Sequence, residues 1–483
     1  MTSTQPVTSN RPGDWVDTAP RLADLEPGRF NMEISTDRYV SPEVQQRERE
    51  SIWMKIWQVV GREADLPEVG DWKVFELFDQ SYILVRGNDG VVRGFVNACR
   101  HRGNPLCNGS GNSKRGFLCQ YHLWSYDLEG ALKGILAEKD LAPIDKSKNS
   151  LIQVSVDTAA GFLFLNPDPK AESLGDYLGA EVLDMLEPYH LDRMVTVMDV
   201  REKIDCNWKV VVDAFSEGYH ISGIHPQLLR VMTIESEKSR YRLLERHAVS
   251  CSPFEVAHVD KYTPEEQVQG IRELPETFPS LMRVLPRFEE IVDSHRTDGE
   301  PLSFPDGVTA RTILQKATRE VLTETGLDVD GLTDAQMSDN HGWVLFPNFF
   351  MTVRAGEATV ILAQPDPEGD PNRCVWQIIS FMYLPDEMTD ALRATPFEVK
   401  EPGEFKYFEA LQQDYEQMPR QQRGLRNEAL DHLLLVSEEV VVAHFHSVLD
   451  RYLAAGADAD GVLRFECTTT SPRGERNGLA RNC

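Results

Sequence analysis

Two short hooks, Cys99-x-His101 and Cys119-x-x-His122, lie within "ACRHRGNPLCNGSGNSKRGFLCQYHLWSY". Each can aim two side-chain donors at one point, so the fold must bring the two points together. The runs around them set the local architecture. "WKVFELF", "SYILVRG" and "VRGFVNAC" are short and β-rich, with the turn signal Asn88-Asp89-Gly90 between the last two. "LIQVSV" and "GFLFLNP" follow. Residues 60–165 are thus expected to form a small all-β domain whose loops carry the hooks. Gly103, Gly109, Gly111 and Gly116 would let those loops close tightly.

Two thiolates and two imidazoles suit a tetrahedral zinc, or a [2Fe–2S] cluster with both sulfurs on one iron and both imidazoles on the other. Spacing separates the two. Zinc fingers pair Cys with Cys and His with His, whereas here each hook holds one of each, as the two-iron site requires. Cys107 breaks the symmetry of the hooks and is expected to be an ordinary thiol.

A second constellation is "NWKVVVDAFSEGYHISGIHP", residues 207–226. If it is helical, Asp213, Glu217 and His220 share one face. His225 would fall off that face, but Gly223 and Pro226 allow the helix to bend or end there. Two neutral imidazoles and one carboxylate leave open positions on Fe(II), the facial arrangement used for dioxygen chemistry. By itself, His-x4-His is a weak signal.

The two constellations together resemble the α (terminal oxygenase) subunits of the Rieske non-haem iron ring-hydroxylating oxygenases. The likeness rests on "CRHRG", "CQYHLWSYDLEG", Asn-Trp-Lys followed by Phe-x-Glu-x-Tyr-His-x4-His-Pro, and "FEALQQDYEQMPRQQRGL". It implies an α+β chain: a small all-β Rieske domain, then a larger α+β catalytic domain with an antiparallel sheet covered by helices, of helix-grip type. Cys99, His101, Cys119 and His122 match the cluster ligands, and His220 and His225 the iron histidines. Asp414 matches the third iron ligand, with Glu409 and Glu416 as rivals on its helix. Glu217 matches the acidic residue that connects the two centres across a subunit contact, and Asp213 is a further catalytic candidate. Two departures stand out. Leu123 occupies a place where glycine is usual, and Asp213-Ala214 replaces a common Glu-Asn. Respiratory Rieske proteins place an extra disulfide cysteine beside each hook, where this chain has Asn104 and Tyr121.

The resemblance also implies a [2Fe–2S] cluster, one mononuclear Fe(II), and O2 as co-substrate. It implies a homotrimer and leaves room for a β subunit. No Gly-rich dinucleotide fingerprint or flavin motif is present, so the electron donor should be a separate ferredoxin or flavin reductase. Arg100, Arg102, Lys114 and Arg115 crowd the cluster loops and could dock it. "WVLFPNFFMTV" and the aromatic content suggest an apolar pocket and an aromatic or other hydrophobic substrate. Two readings compete: an electron carrier with a non-catalytic second domain, and, within the class, an O- or N-demethylase or quaternary-ammonium monooxygenase.

The chain has 483 residues and a formal net charge of −27, which argues against nucleic-acid or anionic-membrane partners. It has no apolar run of membrane-spanning length, and eight sparse cysteines fit a reducing, cytoplasmic setting. The expected order is an N-terminal arm (1–40), the Rieske domain with a leading helix (41–165), the catalytic domain (166–470) and a disordered tail (471–483). A polar insertion over about 260–335 should sit on the catalytic core. "SPEVQQRERESIWMKIWQVV", "FKYFEALQQDYEQM" and "LDHLLLVSEEVVVAHFHSVLDRYL" should be helices, with His444 and His446 structural in the last.

Overall fold

Alternating apolar residues and tight turns build the first half of the chain. A computed structural model describes residues 19–25, 31–230, 239–253 and 262–455. The tail and the first part of the arm lie outside these residues. The first strands are β1 (Asn31–Ser35), β2 (Gln58–Arg62), β3 (Asp71–Leu77), β4 (Gln80–Arg86), β5 (Val92–Val96) and β6 (Ser110–Asn112). Then come β7 (Phe117–Leu118), β8 (Ser125–Tyr126), β9 (Leu132–Gly134), β10 (Gln153–Ala159) and β11 (Phe162–Asn166). Seven of them form one sheet in the order β2-β11-β10-β5-β4-β3-β6, and β7-β8-β9 form a second, small sheet. The first hook follows β5, and the second sits in the β7–β8 hairpin. Gly116, at φ +87°, lies so close to the Tyr126 carbonyl that a Cβ there would come within 2.0 Å of it.

The leading helix is shorter than expected. α1 (Pro42–Glu48), capped by the Ser41 hydroxyl, passes into a wider π-type turn that ends at Trp53. Val59 and Val60 belong to β2 instead, because pairing with β11 sets Val59 opposite Phe164. Strand order overrides the helical spacing there.

The larger domain is built on β12 (Val195–Ile204), β13 (Arg240–Leu243), β14 (Ala248–Ser252), β15 (Asn340–Leu345), β16 (Phe349–Arg354), β17 (Glu357–Pro365), β18 (Cys374–Met382) and β19 (Phe397–Glu398). Their order is β13-β14-β15-β16-β17-β18-β12-β19, antiparallel except for the short β12–β19 pairing. Helices α2 (Trp208–Phe215), α3 (Ile221–Ile224), α4 (Pro264–Glu273), α5 (Leu281–Asp293), α6 (Ala310–Glu324), α7 (Glu409–Leu425) and α8 (Val440–Ala455) cover it. The α+β architecture is as the sequence implied.

Two further expectations shift at this level. α7 begins only at Glu409, so Phe405 and Phe408 precede it rather than lie along its stripe. "HLLLV" before α8 is a strand, β20 (His432–Val436), because β1 from the arm pairs with it.

One apolar core runs through both domains. Phe162 of β11 packs edge-on against Phe349 and Phe381 of the larger sheet, at ring-centroid distances of 5.3 and 5.8 Å. The insertion has its own core. Val268, Ile271, Leu281, Val284, Phe288, Ile313 and Leu314 of α4–α6 pack with Ile221 and Leu228, which flank the two histidines of the second constellation. The insertion is thus a helical cap clamped onto that segment. Among the described residues no helix is long and apolar enough to cross a membrane.

Candidate functional site

At the first centre, turns hold both hooks. The Cys99 N–H donates to the Asn104 carbonyl and the Gly103 N–H to the Cys99 carbonyl. In the second hook the Cys119 N–H donates to Trp124 and the Leu123 N–H to Cys119. Cys99 and Cys119 are buried free thiols. The His101 ring stacks on Trp124 and lies 4.5 Å from His122, centroid to centroid. Nδ1 of His122 is buried and has no hydrogen-bond partner. A buried nitrogen with nothing to bond is costly unless a ligand takes its lone pair.

The quartet is also too open for one ion. Tetrahedral zinc draws its donors to within about 4 Å of one another. Among the described residues only another trio brings its ligand atoms within 4.8 Å of each other. The donor set therefore fits a [2Fe–2S] cluster. Tyr126 adds a contact that its place in the motif did not signal: its hydroxyl lies 3.3 Å from the Cys99 sulfur and accepts from the Arg100 N–H. Cys107 stands outside the quartet, and burial pushes its thiol up to about 12.

The compact trio is His220, His225 and Asp414. Asn207 caps α2 through its side chain, and α2 ends at Phe215, before Glu217. The Ser216 hydroxyl turns back to the Val212 carbonyl and closes the last turn. The shared helix face expected for Asp213, Glu217 and His220 therefore does not exist. Instead Glu217 folds over in a turn, accepting from the His220 N–H at 3.0 Å and from its Nδ1–H at 2.5 Å. The short helix α3 then carries the chain from His220 to His225.

His225 Nε2 lies 3.0 Å from Asp414 Oδ1, and His220 Nε2 lies 3.8 Å from it. The rivals Glu409 and Glu416 are exposed, whereas Asp414 is buried. Burial alone would lower the His220 pKa; the hydrogen bond and charge of Glu217, and then Asp414, outweigh it and raise it. Two imidazoles and a buried carboxylate converging on one point fit a single Fe(II) with open positions.

Asp213 is placed elsewhere. Its carboxylate accepts from the Tyr39 hydroxyl at 2.6 Å and from His446 Nε2 at 3.1 Å, tying α2 to the arm and to α8. It lines neither cavity lobe, and both of its oxygens are committed to those partners. The trio opens on a cavity of two lobes, about 180 and 450 Å³. Phe215, Phe278, Asn340, Phe350 and Thr352 line both lobes, with Asp414 at their junction. Phe278 comes from the cap, a contribution that nothing in its local sequence signals. Gln413 and Gln227 were also missed: Gln413 contacts His225 and Gln227 contacts Gln413, though Gln413 stands beside Asp414 in the sequence.

A family model described as "Ring hydroxylating alpha subunit (catalytic domain)" matches residues 187–455. The chain belongs to this ring-hydroxylating alpha-subunit family. A Rieske [2Fe-2S] domain model matches residues 56–145, in front of the alpha-subunit catalytic domain.

Among relatives of this alpha subunit, the carnitine monooxygenase oxygenase subunit of Escherichia coli (strain K12) is 35% identical over 210 residues, 43% of this chain and 54% of the relative. The biphenyl 2,3-dioxygenase subunit alpha of Rhodococcus jostii (strain RHA1) is 32% identical over 224 residues, 45% of this chain and 47% of the relative. The chain spans about half the length of the curated relatives it matches. The same fold occurs in naphthalene 1,2-dioxygenase with indole bound, at TM-score 0.62 and 19% identity, covering 91% of this chain and 94% of that one. It occurs too in a quaternary ammonium Rieske monooxygenase in complex with L-carnitine, at TM-score 0.59 and 18% identity, covering 86% and 94%.

Proposed function

We propose that this alpha subunit is the terminal component of a Rieske oxygenase, oxidising a neutral, hydrophobic and preferably aromatic small molecule with O2 and electrons from a partner protein. One observation carries the reading. A quartet of two cysteines and two histidines suited to a two-iron cluster, and a trio of two histidines and a carboxylate opening on an apolar cavity, occur in one chain. Cys99, His101, Cys119 and His122 would hold the cluster; His220, His225 and Asp414 would hold the iron. When bound, the cluster supplies single electrons and the iron supplies dioxygen activation.

The chain's own residues do the rest. Glu217 takes the Nδ1 proton of His220 in a hydrogen bond and keeps Nε2 facing inward. Phe215, Phe278 and Phe350 line both lobes and give them apolar walls where they meet.

The walls of the larger lobe favour a substrate without charge. Among the described lining residues Arg354 is the one arginine or lysine, and its charge is paired with Glu357. Its Nε and Nη2 donate to Glu357 Oε1 at 3.0 and 2.8 Å, and the other Glu357 oxygen accepts from the Ser280 N–H. The charge of Arg354 is thus met by Glu357 inside the wall, and only its Nη1 is without a hydrogen-bond partner. A quaternary-ammonium substrate is the second reading, supported by the carnitine relatives and by aromatic walls able to face a cation. The reduced protein is mixed with O2, a donor system, and a panel of neutral aromatics, carnitine and glycine betaine, and products are identified by mass. Oxygenated aromatic product is expected. Turnover of the ammonium compounds alone would overturn the substrate class, and no product from any would overturn the function.

The electron donor is proposed to dock at the cluster loops. Arg100, Arg102, Lys114 and Arg115 are exposed, and none forms an ion pair among the described residues of this strongly acidic chain. An acidic donor would be steered there in a salt-dependent manner. Lys114→Glu with Arg115→Glu should slow cluster reduction and flatten its salt dependence in stopped-flow traces. The expected homotrimer would pass electrons from one chain's cluster loops to a neighbour's iron. Glu217, Glu438 and Glu439 give the trio an acidic surround that complements those basic loops.

A further inference from the structure

We propose that Gln413, oriented by Gln227, is a positioning residue that fixes His225 in its Nδ1–H tautomer and turns the lone pair of Nε2 to the metal. This deepens the iron reading of the trio and rests on it.

The argument starts from one helix. Gln413 and Asp414 are consecutive on α7, yet they grip opposite nitrogens of the same imidazole. Gln413 Oε1 lies 2.6 Å from His225 Nδ1, and Asp414 Oδ1 lies 3.0 Å from His225 Nε2. An amide could present either oxygen or nitrogen to the ring, and the choice decides which ring nitrogen bears the proton. Gln227 decides it. Its Nε2–H donates to the same Gln413 oxygen at 2.8 Å. That atom is therefore an acceptor, and its two lone pairs serve Gln227 and His225. With the two amides so oriented, His225 Nδ1 carries the hydrogen, which leaves Nε2 unprotonated and directed at the point where His220 and Asp414 meet.

The two histidines of the trio are thus held differently. A carboxylate, Glu217, takes the Nδ1–H of His220, whereas a neutral amide takes that of His225. A carboxylate partner makes an imidazole a stronger donor to a metal than an amide does. Gln413 orients its histidine without adding a third negative charge beside Asp414 and Glu217. Neither glutamine lines a lobe of the cavity, so their effect should be on metal binding and not on substrate contact.

The test uses the full chain with its cluster in place and the mononuclear site emptied by a chelator. Fe(II) is then titrated anaerobically against a competing chromogenic chelator. Gln413→Met keeps the side-chain length and removes the acceptor, and Gln413→Glu keeps an acceptor. Gln413→Met should bind Fe(II) about 10- to 100-fold more weakly, with cluster absorbance and melting temperature unchanged. Gln413→Glu should restore wild-type affinity or exceed it. Gln227→Met should lose less than Gln413→Met, and should cost nothing further in the Gln413→Met background.

Wild-type affinity in Gln413→Met, or an equal loss in Gln413→Glu, would overturn the assignment. His225→Ala sets the baseline. If the wild-type chain binds no more Fe(II) than His225→Ala does, the iron reading itself fails, an outcome separate from failure of the glutamine lock.

Discussion

Leu123 adopts a left-handed backbone at φ 55°, in the hairpin that carries Cys119 and His122. A branched side chain there costs roughly 1–2 kcal/mol, which a glycine would not incur. Glycine would lose about 0.5–1 kcal/mol through the greater freedom of the unfolded chain. The backbone strain outweighs that entropy loss, so Leu123→Gly should stabilise the cluster-loaded protein by up to about 1 kcal/mol in denaturant titration. A destabilised variant would mean that the half-exposed leucine makes contacts worth more than its strain. The position was visible in sequence as a departure from a glycine pattern; its backbone angle was not. The same holds for Tyr126. It stood in the quoted motif, but its contact with Cys99 depends on how the β7–β8 hairpin lies over the first hook.

At the scale of elements, periodicity predicted helices well where a helix packs alone and poorly where a strand partner intervenes. β2 and β20 took apolar runs that looked helical, because β11 and β1 offered backbone partners from far along the chain. α2 ended early because Ser216 closes it, and that shortening brings Glu217 onto His220. α2 is anchored from below by a buried ion pair: Lys209 Nζ donates to Glu48 Oε1 at 2.7 Å, with both side chains fully buried, and Trp208 Nε1–H donates to the other oxygen. Burial lowers the Lys209 pKa, and Glu48 opposes that shift. Removing one member of such a pair leaves an uncompensated charge, so Glu48→Ala should cost about 3–5 kcal/mol. Chemical denaturation checks the loss, and replacing both members by apolar residues should recover most of it.

For the molecule as a whole, buried neutral histidines set an acid limit. His247 donates from Nε2 to the Tyr177 carbonyl and accepts the Phe346 N–H at Nδ1, linking the start of β14, the β15–β16 hairpin and the short helix Leu174–Leu178. Burial holds His247 and His444 down at about 4. In the unfolded chain each would titrate near 6.5. Their stabilisation is complete above that pH and is lost as the unfolded chain takes up protons on the way down toward pH 4. Each contributes about 3 kcal/mol by this linkage. Unfolding free energy should therefore fall between pH 7 and pH 5, and His247→Gln should flatten that slope. The sequence by itself determined the two-domain α+β plan and the four hook residues, because ligands one or two residues apart are aimed by local turns. It also singled out the two histidines and Asp414, through the resemblance. Only the tertiary structure decided that Asp414 meets His225 across 189 residues, that Gln413 and Gln227 hold the ring, and that the cap lends Phe278 to the cavity. Such contacts are selected by burial and hydrogen-bond satisfaction between distant segments, and no local pattern encodes which segments will meet.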